Sequence, residues 1–242
     1  PALKKPFFVA GGSVNPVTGE AIQMDETNVG WLGKENVAPR VILTEGGSMT
    51  DIYVYNQLTK DNNGNIKVDQ NGNLGITSSN TPVKVGNLDA DFNLGWTNHF
   101  TYKGIDLGVV LSARVGGLAY SATQGILDYY GVSETSATAR DNGGIPINNG
   151  KVNAQKYYQT IGTGEGGYGR YYLYSATNVR LQELSLNYTL PKRWFKNVAN
   201  VTLGIVGRNL WMIYCKAPFD PELSASTSSN YYMNVDYFMQ PS

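Results

Sequence analysis

Two neighbouring stretches constrain this chain most. From Phe92 to Tyr102, Phe92, Leu94, Trp96, Phe100 and Tyr102 share one parity, and Asn93, Gly95, Thr97, His99 and Thr101 the other. From Ile105 to Val115, Ile105, Leu107, Val109, Leu111, Ala113 and Val115 alternate with Asp106, Gly108, Val110, Ser112 and Arg114. Alternation with a period of two predicts strands with one apolar and one polar face. The two-residue link Lys103-Gly104 predicts a tight antiparallel hairpin. Each arm is eleven residues long. That is about twice a typical globular strand and close to the roughly 9–11 residues with which a tilted strand crosses a bilayer.

The apolar face of the second arm must be covered. Burying its six side chains is worth roughly 8–15 kcal/mol, at ~1.5–3 kcal/mol for each large aliphatic. A β-sandwich would cover it with a second sheet. A membrane barrel would turn it to lipid and leave His99, Asp106 and Arg114 on a wet interior. Charged residues are 16% of the chain, below the roughly 25% of soluble domains, and with the strand length this favours the barrel. Lys plus Arg (19) equals Asp plus Glu (19), which removes the electrostatic argument for a nucleic-acid partner. No run approaches eighteen apolar residues, so no transmembrane helix is predicted; that criterion is blind to barrels. The chain opens on Pro1 without methionine, and Pro6–Gly12 is too short for a signal-peptide core, so it reads as a mature product or a piece of a longer protein.

Residues 1–60 read as irregular, with apolar clusters at Phe7–Ala10, Val41–Leu43 and Ile52–Tyr55. A small repeat follows: Asp61 to Val68 is echoed by Asp69 to Ile76, each copy placing Asn-Gly before a short apolar pair, which predicts two turns with short strand arms. A calcium loop of the EF-hand type does not fit, because Ile66 stands where the sharp turn needs glycine and Gly72 where it needs glutamate. Residues 118–177 form a long excursion, with helices predicted at Ala119–Tyr130, ending at Gly131, and at Asn153–Ile161, ending at Gly162; the remainder reads as loop. Excursions of this length are usually functional. Asn178–Leu190 predicts a strand whose parity changes at a bulge near Gln182-Glu183, and Val201–Trp211 another. The link between them carries Lys192, Arg193, Trp194, Phe195 and Lys196, which suits either an interfacial girdle or a solvated turn with packed aromatics.

Chemistry-bearing motifs are weak. Gly162 to Gly167 matches G-x-G-x-x-G, but a helix precedes it where the dinucleotide motif needs a strand, so a flexible loop is expected. Asp89/Asp91 and Asp220/Glu222 are carboxylate pairs of a kind common at strand ends. His99 is the sole histidine, which disfavours a catalytic triad or a multi-histidine metal site. Cys215 reads as a buried structural thiol. No enzyme activity, metal or cofactor is predicted. The loop tyrosines Tyr129, Tyr130, Tyr157, Tyr158, Tyr168, Tyr171 and Tyr172, with Tyr174, are candidates for stacking on sugars or peptides; they serve equally to pack the loops together.

Asn178-Val179-Arg180-Leu181-Gln182-Glu183-Leu184-Ser185-Leu186-Asn187-Tyr188-Thr189-Leu190-Pro191 resembles a late barrel segment of SusC/RagA-type TonB-linked transporters. Gly207-Arg208-Asn209-Leu210-Trp211, Phe219-Asp220-Pro221-Glu222 and Gln240-Pro241 resemble the elements that follow it. Upstream, Glu45-Gly46-Gly47-Ser48, Asp51-Ile52-Tyr53, Lys84-Val85-Gly86 through Phe92-Asn93-Leu94-Gly95, and Ala113-Arg114-Val115-Gly116-Gly117 are similar to the family as well. The similarity runs over most of residues 36–242. It implies an all-β fold: the C-terminal part of a large antiparallel transmembrane β-barrel with long extracellular loops that carry short helices. The plug domain, the early strands and the closing strand of the family would be absent. The resemblance further implies a Gram-negative outer membrane and import of oligosaccharides or peptides. Its expected partners are a SusD-like surface lipoprotein, the TonB complex acting through the missing plug, and membrane lipid. Phe92, Leu94, Trp96, Leu107, Val109 and Leu111 would face lipid, with His99 and Arg114 toward the lumen, the Lys103-Gly104 turn periplasmic and the 118–177 excursion outside. A soluble extracellular β-sandwich that binds glycans is the alternative, and a hydrolase using Asp220 or Glu222 a third reading.

Overall fold

The computed structural model describes residues 29–30, 38–42, 46–164, 166–196, 198–222 and 234–237. The expected features at Phe7–Ala10, Pro6–Gly12, Leu43, Glu45 and Gln240-Pro241 lie outside them. In chain order the elements are β1 (Val29–Gly30), β2 (Arg40–Val41), β3 (Asp51–Leu58), β4 (Ile76–Asn87), β5 (Phe92–Tyr102), β6 (Ile105–Val115) and β7 (Leu118–Ser121). They continue with α1 (Ala122–Tyr130), α2 (Glu134–Asp141), β8 (Ile145–Ile147), β9 (Gly150–Val152), α3 (Ala154–Ile161), β10 (Gly162–Thr163), β11 (Gly166–Gly167), β12 (Leu173–Ser175), β13 (Asn178–Thr189), β14 (Thr202–Cys215) and β15 (Val235–Asp236). No described helix is long and apolar enough to cross a membrane. Contacts divide the chain into two compact units, Ala90–Gly117 with Ser175–Pro221, and the remainder.

The first unit is a four-stranded antiparallel sheet in the order β14-β13-β6-β5. The hairpin has the predicted bounds, with Phe92 opposite Val115 and Tyr102 opposite Ile105. Its turn places Lys103 at φ 47° and Gly104 at φ 88°, the pair of positive values that suits the twist of a two-residue hairpin. A Cβ at Gly104 would lie 2.9 Å from the Thr189 carbonyl oxygen, so the turn needs glycine for space as well as for backbone freedom. The predicted bulge is present: Leu181 pairs with Leu111 and Glu183 with the next residue, Val110, leaving Gln182 unpaired in the ladder. β14 has its own irregularity, since Leu181 pairs with Trp211 and Glu183 with Arg208, and Asn209 turns to φ 51°.

The register aligns one apolar face across all four strands. Tyr102, Ile105, Tyr188 and Leu203 form one row, and Phe100, Leu107, Leu186 and Ile205 the next. Trp96, Leu111, Leu181 and Trp211 form another. The opposite face carries Thr101, Asp106 and Asn187, then Glu183 and Arg208, then Asn93, Arg114 and Asn178. The apolar face is exposed along its length, the polar face is buried only at parts of the inner strands, and on the outer strands β5 and β14 both faces are exposed. Leu94 is 59%, Trp211 63% and Ile205 78% exposed, whereas Asn178 is 0%, Arg180 8% and Ser185 8% exposed. Polar side chains on that face find partners: Arg180 donates to Asp220, in the segment after β14, at 2.7 Å, Arg208 to Glu183 at 3.0 Å, and Thr101 to Asp106 at 2.9 Å. A β-sandwich would have its large apolar residues inside; here they are outside.

The second unit holds the buried core: Val41, Ile52, Leu58, Leu88, Tyr120, Ile161, Tyr172 and Val235 among others. β3 alternates buried and half-buried residues and pairs antiparallel with β4, so residues 51–58 are strand rather than irregular chain. The expected helix at Ala119 starts three residues later. Its first residues are β7, held in the sheet order β12-β7-β15, with the Tyr120 N–H donating to the Asn234 carbonyl and the Ser121 N–H to that of Tyr172. α2 and the β8–β9 hairpin occupy part of what reads as loop in the sequence. Where a flexible loop is expected, Gly162–Thr163 (β10) pairs antiparallel with Gly166–Gly167 (β11), and β11 packs on α1 so closely that a Cβ at Gly125 would meet the Gly167 nitrogen at 2.5 Å. The Asp-Asn repeat forms the two expected turns, with bridges Lys60–Ile66 and Val68–Leu74. Asp61 accepts the N–H groups of Asn63 and Asn65 at 2.8 and 2.9 Å, and Asp69 those of Asn71 and Asn73 at 2.8 and 2.7 Å. The backbone donors at Asn65 and Asn73, the largest cause in each case, hold both carboxyls below the ordinary aspartate range.

Candidate functional site

The excursion gathers tyrosines around a buried carboxylate. Ser121 caps α1, accepting the Gln124 N–H at 3.0 Å, while its hydroxyl donates to Asp236 Oδ2 at 2.6 Å. α1 ends at Gly131, whose φ of 70° lets its N–H reach the last carbonyls. Ser133 then caps α2. Asp128, 4% exposed, ties these ends together: its Oδ1 accepts from Gln124 Nε2 at 2.8 Å, from Thr135 Oγ1 at 2.9 Å and from the Ser133 hydroxyl. Asn153 caps α3 through the N–H groups of Gln155 and Lys156.

Around this frame, Tyr129 and Tyr130 meet edge to face with centroids 5.1 Å apart, and Tyr157 and Tyr158 do so at 5.2 Å. Tyr130 is 65% exposed; Tyr129, Tyr157, Tyr158, Tyr168 and Tyr171 are half-buried. Tyr171 accepts the Leu58 N–H at 2.6 Å, which gives its hydroxyl a structural partner. Tyr172 is 2% exposed and belongs to the core, which removes it from the surface tyrosines. Tyr120, which sequence reasoning passed over, is fully buried and clamps the β10–β11 hairpin by donating to the Gly167 carbonyl at 2.7 Å and accepting the Gly167 N–H at 3.1 Å. Burial pushes the Tyr120 phenol up to about 12. Tyr174 is raised to about 12 by burial first and by the Asp128 charge second. Tyr157, Tyr158 and Tyr171 also move up, mainly through desolvation, and Tyr172 further for the same reason, with Asp128 adding to it. These phenols stay neutral at pH 7 and offer rings and hydrogen bonds, not base or nucleophile chemistry.

Two surface depressions adjoin the cluster. One, of about 150 Å³, is lined by Tyr129, Tyr130, Tyr158, Arg140, Gln155 and Gln159, with Asp128 at its wall. The other, of about 630 Å³, shares Tyr158 and is lined by Glu134, Thr138, Asn142, Pro146 and Lys151. Among the described residues there is no cluster of three or more His, Cys, Asp or Glu suited to a metal ion.

His99 and Arg114 belong to the other unit. Both lie on the polar face of the sheet, opposite Gly108 and Asn93 respectively, and six residues of β5 separate their rows, about 20 Å at ~3.4 Å per residue. The structure therefore groups the tyrosines but does not bring His99 and Arg114 together. Asp220 is committed to Arg180. Cys215 is half-buried rather than buried, and its thiol donates to the Ala217 carbonyl at 3.3 Å.

No family model matches the chain. A TonB-dependent receptor P3 of Formosa agariphila is 26% identical over 179 residues, 73% of this chain and 17% of that protein. The RagAB peptide importer in its closed-closed state is similar in fold with a TM-score of 0.50 at 18% identity, over 84% of this chain and 23% of that one. The open-open state of the importer gives 0.46 at 17% identity, over 84% of this chain and 22% of that one. The chain thus spans less than a quarter of the length of the proteins it matches. The similarity to a TonB-dependent receptor and the likeness in fold to part of the importer agree with the resemblance to SusC/RagA-type TonB-dependent transporters that the motif order carries.

Proposed function

We propose that this chain supplies barrel wall and external loops to an outer-membrane, TonB-dependent importer of oligosaccharides or peptides. The observation that carries the reading is the four-stranded sheet whose apolar face runs continuously across all four strands and is exposed. Strands of eleven residues, tilted about 45° at ~3.4 Å per residue, span about 26 Å, which matches the apolar band of a membrane barrel. Phe92, Leu94, Trp96, Leu107, Val109 and Leu111 face lipid, His99 and Arg114 face the lumen, and the 118–177 excursion reaches the cell exterior. There its exposed tyrosines contact substrate. A SusD-like lipoprotein captures the substrate, and the TonB complex draws on a plug supplied by the rest of the protein.

The test is uptake by cells carrying the full-length transporter, with and without a working TonB complex. Uptake that requires both the transporter and TonB is expected. Equal uptake in cells lacking either would overturn the reading.

A further inference from the structure

We infer that the turns at one end of the four-stranded sheet hold the headgroup of an anionic phospholipid, whose acyl chains lie along the adjoining apolar face. The inference rests on the importer reading, which puts lipid against that face, and it adds which lipid is held there. The placement of charge is the first argument. β6 and β13 run side by side, so the Lys103-Gly104 turn abuts the link of residues 191–200: the Thr189 N–H donates to the Gly104 carbonyl at 2.7 Å, and the Leu190 N–H to that of Val201 at 2.9 Å. The link opens with a short 3₁₀ turn over Lys192–Phe195, closed by Lys196. Four exposed cations, Lys103, Lys192, Arg193 and Lys196, therefore share one end of the sheet. Residues 99–105 and 184–207 contain no Asp or Glu. Asp106, the next residue along, lies on the polar face, where it accepts from Thr101 Oγ1 at 2.9 Å.

The side of the sheet is the second argument. The Lys103 ammonium stands 5.2 Å from the centroid of the Tyr102 ring, a cation–π distance. Tyr102 belongs to the apolar face, so this charge sits on the lipid side and not over the lumen. The apolar row nearest the turns is Tyr102, Ile105, Tyr188 and Leu203, all exposed. Trp194, also exposed, stands among the cations, as an aromatic does at the level of headgroups. Cations that border an apolar strip match an amphiphile with a negative head and a hydrocarbon tail. A soluble phosphate would meet the cations alone, and a zwitterionic lipid brings no net charge to them. On the importer reading this end of the strands is periplasmic, because β6 leaves it to run toward the excursion, so the lipid belongs to the periplasmic leaflet.

Native mass spectrometry of the full-length transporter, purified in detergent and titrated with phosphatidylglycerol, phosphatidylcholine or soluble glycerol 1-phosphate, tests this. The wild type should retain phosphatidylglycerol in preference to both other probes. Each basic residue near an anionic surface is worth roughly fivefold in affinity. Lys192→Gln with Arg193→Gln should therefore weaken phosphatidylglycerol retention by roughly 25-fold. Lys103→Asn should weaken it by roughly fivefold; asparagine tolerates the positive φ at that turn. All three positions are exposed, so unchanged melting temperatures are expected. Equal retention of phosphatidylglycerol and phosphatidylcholine by the wild type, or unchanged phosphatidylglycerol retention in both variants, overturns the lipid site. Glycerol 1-phosphate bound as tightly as phosphatidylglycerol also overturns it, in favour of a site for soluble anions. TonB-dependent uptake by cells carrying the wild type separates the two levels: if uptake persists while the lipid preference fails, the importer reading stands and the lipid site falls.

Discussion

At the scale of single residues, the excursion depends on Asp128. Three side-chain donors from α1, from the connection and from α2 converge on one buried oxygen. Replacing Asp128 with alanine removes the shared acceptor of all three donors and leaves the buried Ser133 hydroxyl without it. The expected cost is about 2–4 kcal/mol of local stability, read as faster amide hydrogen exchange over residues 121–141 in the full-length protein, with exchange in the four-stranded sheet unchanged. Uniform protection across both segments would refute the role given to Asp128. The residue was not legible as a hub in the sequence, because its partners are recognised only once α1 and α2 are in place. Ser121 was legible. Ser121-x-x-Gln124 carries the capping-box pattern, and it marks the start of α1 more accurately than the apolar run beginning at Ala119.

At the scale of elements, alternation spoke clearly where hydrogen bonding is local and repetitive. The β5–β6 hairpin and the β13 bulge could be read directly, because each strand displays its own two faces. The excursion could not. β7 became strand through bonds to Tyr172 and Asn234, far along the chain, and β10–β11 is ordered by packing of glycine backbone on α1; neither has a local signal. The bulge makes a prediction of its own. Without Gln182, the residues after it change faces relative to those before it, and either Leu184 and Leu186 or Val179 and Leu181 turn to the polar side. Deleting Gln182 should abolish the heat-modifiable electrophoretic mobility that a folded barrel shows, whereas Gln182→Ala should retain it. Normal mobility in the deletion variant would contradict the assigned register.

At the scale of the whole molecule, the two units follow opposite rules of burial. One encloses apolar residues around Tyr120, Tyr172 and Ile52 in the manner of a water-soluble fold. The other displays Leu94, Ile205 and Trp211 on a continuous apolar face. The importer reading accounts for both, since it places lipid around the sheet and water around the excursion. The most direct measurement is site-directed spin labelling of the full-length transporter in a bilayer, in a Cys215→Ser background, with labels introduced at Leu94→Cys, Ile205→Cys and His99→Cys. The account predicts that labels at positions 94 and 205 are relaxed by lipid-dissolved oxygen and that the label at 99 is relaxed by a water-soluble nickel chelate. Nickel-accessible labels at 94 and 205, or an oxygen-accessible label at 99, would contradict it.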